Sequence, residues 1–169
     1  MPIQRPISKL LALVAAVLLT AAVLTAGALA VTSPTQTRET YVAQVEPICK
    51  KNTKANEQIL AGVRKEVKKG QLAVAAGQFK RASAAFGKAV KQIAAVPQPP
   101  ADVAKLTKWL GYLEGEQKLL GEIGKALKAG KKSRAQTLSV RLTHNGNLAN
   151  NSVLGFEFNY CLINSSRFS

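Results

Sequence analysis

Residues 71–95 read QLAVAAGQFKRASAAFGKAVKQIAA. Leu72, Phe79, Phe86 and Ile93 recur every seven residues, and Ala75, Ala82 and Val90 fill the second apolar position of the same repeat. That interval lays one apolar stripe along an α-helix and leaves the lysines outside it. A half-buried strand would alternate every second residue, and this segment does not. A helix with one apolar stripe needs a partner to bury it. The fold therefore depends on whether the flanking segments carry matching stripes.

They do. Upstream, Tyr41, Val45, Ile48, Asn52, Ala55, Ile59, Val63 and Val67 keep the three- and four-residue spacing of one helical face from Arg38 onward. Pro47 falls inside this run, so the helix either begins there or kinks. Lys68-Lys69-Gly70 makes a sound C-terminus, with positive charge in the last turn and then glycine. Downstream, VPQPPAD at 96–102 holds three prolines in four residues and ends the helix, and Pro100 suits the position before the next one. A third helix over about 101–129 places Val103, Leu106, Leu110, Leu113, Gln117, Leu120 and Leu127 on one face, with Trp109, Leu119 and Ile123 on its flank. Gly130 stops it. Ser133 can cap a fourth helix, whose face is Ala135, Leu138, Leu142, Asn145 and Ala149. Gly146 and the polar run 145–151 weaken its second half, and Gly155 ends it.

Four helices with short loops predict an all-α fold, an antiparallel up-down four-helix bundle over residues 38–169. In that topology the first and fourth helices are neighbours, and the start of one lies beside the end of the other. Aromatic residues are sparse until the tail GFEFNYC at 155–161. Phe156, Phe158 and Tyr160 would share one face if this segment were extended, and would cover the end of the bundle.

The first thirty residues read differently. Arg5 and Lys9 precede an uncharged run, 10–31, of mostly Leu, Ala and Val. This predicts an N-terminal hydrophobic helix, either a signal peptide or a retained transmembrane anchor. Ala28-Leu29-Ala30 has the small residues of a cleavage site after Ala30, whereas the length of the run suits a membrane span. Residues 31–37 read as a linker. The positive N-terminal flank places the remaining chain outside the cytoplasm, either held on the cell membrane or secreted. Two cysteines, Cys49 and Cys161, in an exported chain predict one disulfide. The neighbouring ends of the first and fourth helices would bring them together.

The pattern resembles a family of exported helical-bundle proteins from high-GC Gram-positive, actinobacterial-type bacteria. The resemblance rests on the N-terminal membrane segment, Tyr41 ahead of Cys49, Pro97-Gln98-Pro99-Pro100, Trp109-Leu110, and Gly155 followed by Cys161. It implies fold and location, not an activity, and adds weight to the Cys49–Cys161 pairing. The lipid-modified cysteine that many members carry is missing here.

Few residues suit catalysis. His144 is the only histidine and the single methionine is Met1, so a His/Met haem pair is not available. Glu114, Glu116 and Glu122 gather on the third helix, but no Glu-x-x-His follows, as a di-iron bundle requires. No metal or other cofactor is expected, and an enzyme is the least favoured class. The charge is the distinctive feature. Setting aside Arg5 and Lys9, 22 cations face nine acids, about +13 for the exported part. Lys50, Lys51, Lys54, then Arg64, Lys65, Lys68, Lys69, then Lys80, Arg81, and finally Lys128, Lys131, Lys132, Arg134 form the clusters. No aromatic residues are interleaved for base stacking, so nucleic acid is not the expected partner. Anionic lipid or a wall polymer is, or else a protein partner. The alternative is a small-ligand or haem carrier using an inter-helix groove near Gly111 and Trp109.

Overall fold

Thr37 starts the first helix. Its hydroxyl accepts from the Thr40 amide, and the Thr40 hydroxyl accepts in return from the Thr37 amide, at 3.2 and 2.9 Å. Two orphan donors of the first turn are thereby satisfied. In a computed structural model, which describes residues 36–164, the elements are α1 (Arg38–Leu60), α2 (Val63–Lys68), α3 (Leu72–Ala94), a 3-10 turn (Pro100–Asp102), α4 (Val103–Lys128) and α5 (Lys132–Ser152). All regular structure among the described residues is helical. The hydrophobic run expected at 1–30, and the linker up to residue 35, lie outside them.

Pro47 sits within α1. The expected single helix from Arg38 to Lys69 is instead interrupted at Ala61 and Gly62. Gly62 takes a left-handed conformation at φ +77°, and the freed carbonyl of Ala61 accepts from the buried Gln78 amide at 3.0 Å. α2 and α4 end alike: Gly70 and Gly130 are left-handed, and the next residue's amide reaches back five positions, Gln71 to Glu66 and Lys131 to Ala126. Both are Schellman ends. Ser133 does not cap α5, which begins one residue earlier, at Lys132, with no side-chain cap.

The packing order follows the chain. α1 packs on α3, α3 on α4 and α4 on α5. The close approaches fix an antiparallel register: Gly87 faces Gln117, Gly121 faces Ser83, and Gly124 faces Ala76 and Phe79. Across α4 and α5, the Asn145 amide donates to the Tyr112 carbonyl at 2.8 Å. The glycines decide how near the helices come. A Cβ on Gly124 would lie 3.1 Å from the Ala76 carbonyl oxygen and 3.2 Å from Phe79 Cβ, whereas one on Gly111 would meet nothing within 4 Å. Gly124→Ala is therefore expected to lower the denaturation midpoint, because overpacking against backbone costs about 1–3 kcal/mol and outweighs the ~1 kcal/mol gain in helix propensity. Gly111→Ala should raise it by that propensity gain. Equal shifts in paired urea titrations would show that the α3–α4 contact is looser than this.

The stripe of α3 is as its heptads predict, with Ala75, Ala82, Val90 and Ile93 buried and Leu72, Phe79 and Phe86 packed against them. The face of α1 is rotated by one residue from the expected one. Tyr41 and Val45 are buried, but Cys49, Asn56 and Leu60 follow, in place of Ile48, Ala55 and Ile59. On α4, Trp109 and Ile123 lie at the centre rather than on the flank, and Val103 is exposed.

The tail departs most from expectation. α1 and α5 do not form the extensive contact that the other neighbours share; residues 153–164 run through the seam between them. The Cys49–Cys161 disulfide ties the tail to α1. The Glu46 carboxylate accepts from three consecutive amides, Asn159, Tyr160 and Cys161, at 2.9, 3.0 and 3.2 Å. On the α5 side, the Asn150 side chain donates to the Ile163 carbonyl and accepts from the Ile163 amide. Ile163 lies against Gly146, where a Cβ would come within 2.9 Å of it. The residues that looked like a weak half-helix are thus the bed on which the tail lies. The tail is not a strand. Glu157 is left-handed at φ 54°, a position that costs about 1 kcal/mol or more for a residue with a Cβ. Phe156 and Phe158 both turn inward and stack, with Phe158 5.2 Å from Trp109. Tyr160 leaves their face and lies under Lys50 at 5.0 Å.

Arg38 closes this end of the bundle. Its guanidinium donates to both oxygens of Asp102 at 2.9 and 2.6 Å, reaches the Gly155 carbonyl, and covers the Phe156 ring at 4.7 Å. The guanidinium holds the Asp102 carboxyl below its usual range. The described residues belong to one compact unit, which contains both core clusters and the disulfide.

Candidate functional site

The bundle has two dissimilar ends. Arg38, at the start of α1, lies at one end with the α3–α4 connection and the tail, through its contacts with Asp102 and the Gly155 carbonyl. The α2–α3 and α4–α5 turns lie at the other end, because α3 and α4 are antiparallel and Ala76 stands beside Gly124. Here the fold brings together two basic clusters sixty residues apart in sequence. Arg64, Lys65, Lys68 and Lys69 come from α2 and its C-terminus. Lys128, Lys131, Lys132 and Arg134 come from the α4–α5 turn. All eight are exposed. Lys80 joins Lys125 and Lys128 along a shallow α3–α4 groove floored by Gly77, Gly121 and Gly124. Among the described residues the ion pair within 4 Å is Arg38–Asp102, at the opposite end. Glu66 in α2 and Glu122 beside Lys125, Lys131 and Arg134 are the acids nearest in the fold, but none of the eight cations is in an ion pair within 4 Å, so the basic end keeps a net positive charge. Lys68, Lys69 and Lys128 sit at helix C-termini, where carbonyl dipoles favour cations, whereas Lys131, Lys132 and Arg134 stand at the α5 N-terminus, where they do not.

Lys50, Lys51 and Lys54 are not part of this patch. They are exposed midway along α1, just past Cys49, and Lys50 is engaged with Tyr160. The sequence-predicted cations thus separate into one converged group of eight and a lone group of three.

A cleft of about 740 Å³ opens beside the basic group, in the part of the α1–α5 seam that the tail does not reach. Leu60, Val63, Leu120, Ile123, Leu127 and Leu142 line it, with Arg64, Lys68 and Lys132 among its lining residues. Sequence reasoning missed this cleft, because it follows from α1 and α5 standing apart.

A second space lies inside the bundle near the tail. It measures about 50 Å³ and is lined by Asn52 and Asn56 from α1, Trp109 and Glu116 from α4, and Tyr160 to Asn164 from the tail. Asn56 Oδ1 and Trp109 Nε1 are buried there without a protein hydrogen-bond partner. Glu116 is 4% exposed and accepts from Asn145 at 2.8 Å. Burial pushes its carboxyl up to about 7. The space is polar and large enough for ordered water, but falls far short of the ~300 Å³ of small-molecule sites. Gly111 faces outward with open space around it, while Trp109 is fully buried. Gly111 and Trp109 thus do not face one another across a common space. His144 is exposed on the outer face of α5, and Glu114 is also exposed, so the acids of α4 do not converge. Among the described residues no three His, Cys, Asp or Glu side chains are grouped as metal ligands.

No family of known proteins, no characterised protein and no solved structure matches the chain.

Proposed function

We propose that this is a non-enzymatic envelope protein that stands outside the cytoplasmic membrane, exported or tethered by its N-terminal hydrophobic helix, and engages an anionic surface with the basic end of its bundle. The carrying observation is that Arg64, Lys65, Lys68, Lys69, Lys128, Lys131, Lys132 and Arg134 gather at one end, outnumber Glu66 and Glu122 there, and none is in an ion pair within 4 Å. The hydrophobic run 10–31, the cleavage-site residues at Ala28 and Ala30, the disulfide, and the likeness to exported actinobacterial-type bundles support the location.

Vesicles of phosphatidylcholine with and without phosphatidylglycerol test this. Residues 34–169 should sediment with the anionic vesicles at low salt and be released as salt rises, because surface charge pairs are screened. Lys68→Glu, Lys69→Glu, Lys131→Glu and Lys132→Glu together should weaken binding by at least about a hundredfold, at roughly 1 kcal/mol per cation near the surface. Lys51→Glu with Lys54→Glu should have a much smaller effect. Binding that ignores salt, or that follows the α1 cluster instead, would overturn the reading. Retention on purified wall material with the same salt dependence and no vesicle binding would assign the polymer as the surface.

A further inference from the structure

We propose that the cleft between α1–α2 and α5 is a binding site for a single-chain anionic amphiphile, with the acyl chain in the seam and the head group held by Arg64, Lys68 and Lys132. This deepens the anionic-surface reading by giving that surface a ligand of defined chemistry.

The seam itself shows what such a space accepts. α1 and α5 do not close on each other. At the disulfide end the gap is filled by apolar side chains of the tail, Phe156, Phe158 and Ile163. At the basic end the same gap continues as the cleft. Its floor of Leu60, Val63, Leu120, Ile123, Leu127 and Leu142 contributes no hydrogen-bonding side chain. On α5 the lining runs from Lys132 to Thr143, a length of about 16 Å at 1.5 Å per residue, which takes most of an extended long acyl chain.

Charge selects the kind of amphiphile. Three cations line the cleft and no carboxylate does. A cationic head group would meet only repulsion, and a neutral one would gain nothing from the cations. A carboxylate or phosphate head gains charge-assisted hydrogen bonds, and a guanidinium such as that of Arg64 can pair with either in bidentate fashion. The polar lining residues, Gln136, Ser139 and Thr143, come from one helix, α5. Apart from Arg64 and Lys68, the walls facing α5 are apolar, as a chain with one charged end requires.

The test uses residues 34–169 and palmitate carrying a photoreactive diazirine, kept below its micelle concentration. Cross-links mapped by mass spectrometry should fall on peptides containing Leu60, Val63 and Leu142. Ser139→Phe, which fills the cleft from α5, should weaken palmitate binding by about tenfold or more. If that variant does not keep the native melting point, Gln136→Phe at an exposed lining position serves in its place. Arg64→Glu with Lys68→Glu and Lys132→Glu should weaken palmitate by a similar factor and leave hexadecanol within about twofold. Cross-links confined to the Trp109 end would overturn the proposal, as would palmitate binding untouched by the cleft-filling variant. Salt-sensitive vesicle binding that survives while palmitate fails to bind would overturn the cleft alone. Loss of both would overturn the surface reading as well.

Discussion

Replacing Cys49 and Cys161 together by serine is expected to cost about 4–5 kcal/mol, because the bridge closes a loop of 112 residues and chain-entropy loss in the unfolded state scales with loop length. For a domain of this size that corresponds to a fall of roughly 15–20 °C in the melting point. The loss should have a visible local component. Cys161 is the fastening point of a tail that carries Phe156 and Phe158 over Trp109, the only tryptophan. Trp109 is fully buried in the closed bundle. Without the bridge, three amides on Glu46 and the two bonds between Asn150 and Ile163 still hold the tail. Tail release should therefore precede global unfolding in the double-serine variant, as a red shift of tryptophan emission below the main far-ultraviolet transition. In the native protein the two transitions should coincide. Adding Glu46→Ala to the double-serine variant should bring the red shift to still lower temperature. A native-like melting point after loss of the bridge would mean that these hydrogen bonds and the ring stack fix the tail, and that the cysteines contribute little.

What the sequence made legible follows from where its signals were strong. The α3 heptad was readable because four large apolar residues stand exactly one heptad apart, and the glycine stops at Gly70 and Gly130 were readable because only a left-handed residue ends a helix that way. The Cys49–Cys161 pairing was anticipated as well, but the geometry behind it was not. The expected reason was direct contact between the first and last helices, and the actual one is a tail lying between them. Two features hid this. Glu46, which holds the tail, reads as an ordinary solvated glutamate, and the bed on α5 reads as a failing helix because Gly146 and Asn150 are poor helix formers. Their role appears only when the tail is in place. The rotated face of α1 has a related cause. Cys49 and Asn56 are weakly apolar or polar, so Ile48 and Ile59 beside them carried the pattern, although burial went to their neighbours. The basic clusters were plain in the sequence as charge. Their convergence, and their separation from Lys50, Lys51 and Lys54, depended on the antiparallel register of α3 and α4.

Glu116→Gln is expected to stabilise the protein above neutral pH and to change little in acid. Glu116 is 4% exposed, and among the residues lining its cavity no lysine or arginine offsets its charge. Desolvation raises its carboxyl to about 7 from an ordinary value of 4.5, and the hydrogen bond from Asn145 only partly opposes this. The sign follows from proton counting. Between those two values the folded protein holds a proton that the unfolded chain has released, so stability falls as pH rises through the interval. The protonated carboxyl's advantage is fully present below about 4.5 and is gone above about 7, where the folded state carries a buried, unpaired anion. Taken at about 1.4 kcal/mol per pH unit, the difference across the window is roughly 3 kcal/mol, and water in the cavity would reduce it. Glutamine keeps the shape and an acceptor for Asn145 while removing the charge. The substituted and native proteins should therefore unfold at nearly the same urea concentration at pH 4, and the glutamine variant should resist more urea at pH 8 by about 2–3 kcal/mol. Taking the difference between the two proteins at each pH removes the contribution of every other titrating group, including the Arg38–Asp102 pair, which weakens in both alike as Asp102 is protonated. A stability difference that does not change between pH 4 and pH 8 would show that Glu116 reaches solvent, and that the space beside Trp109 is open to water from outside.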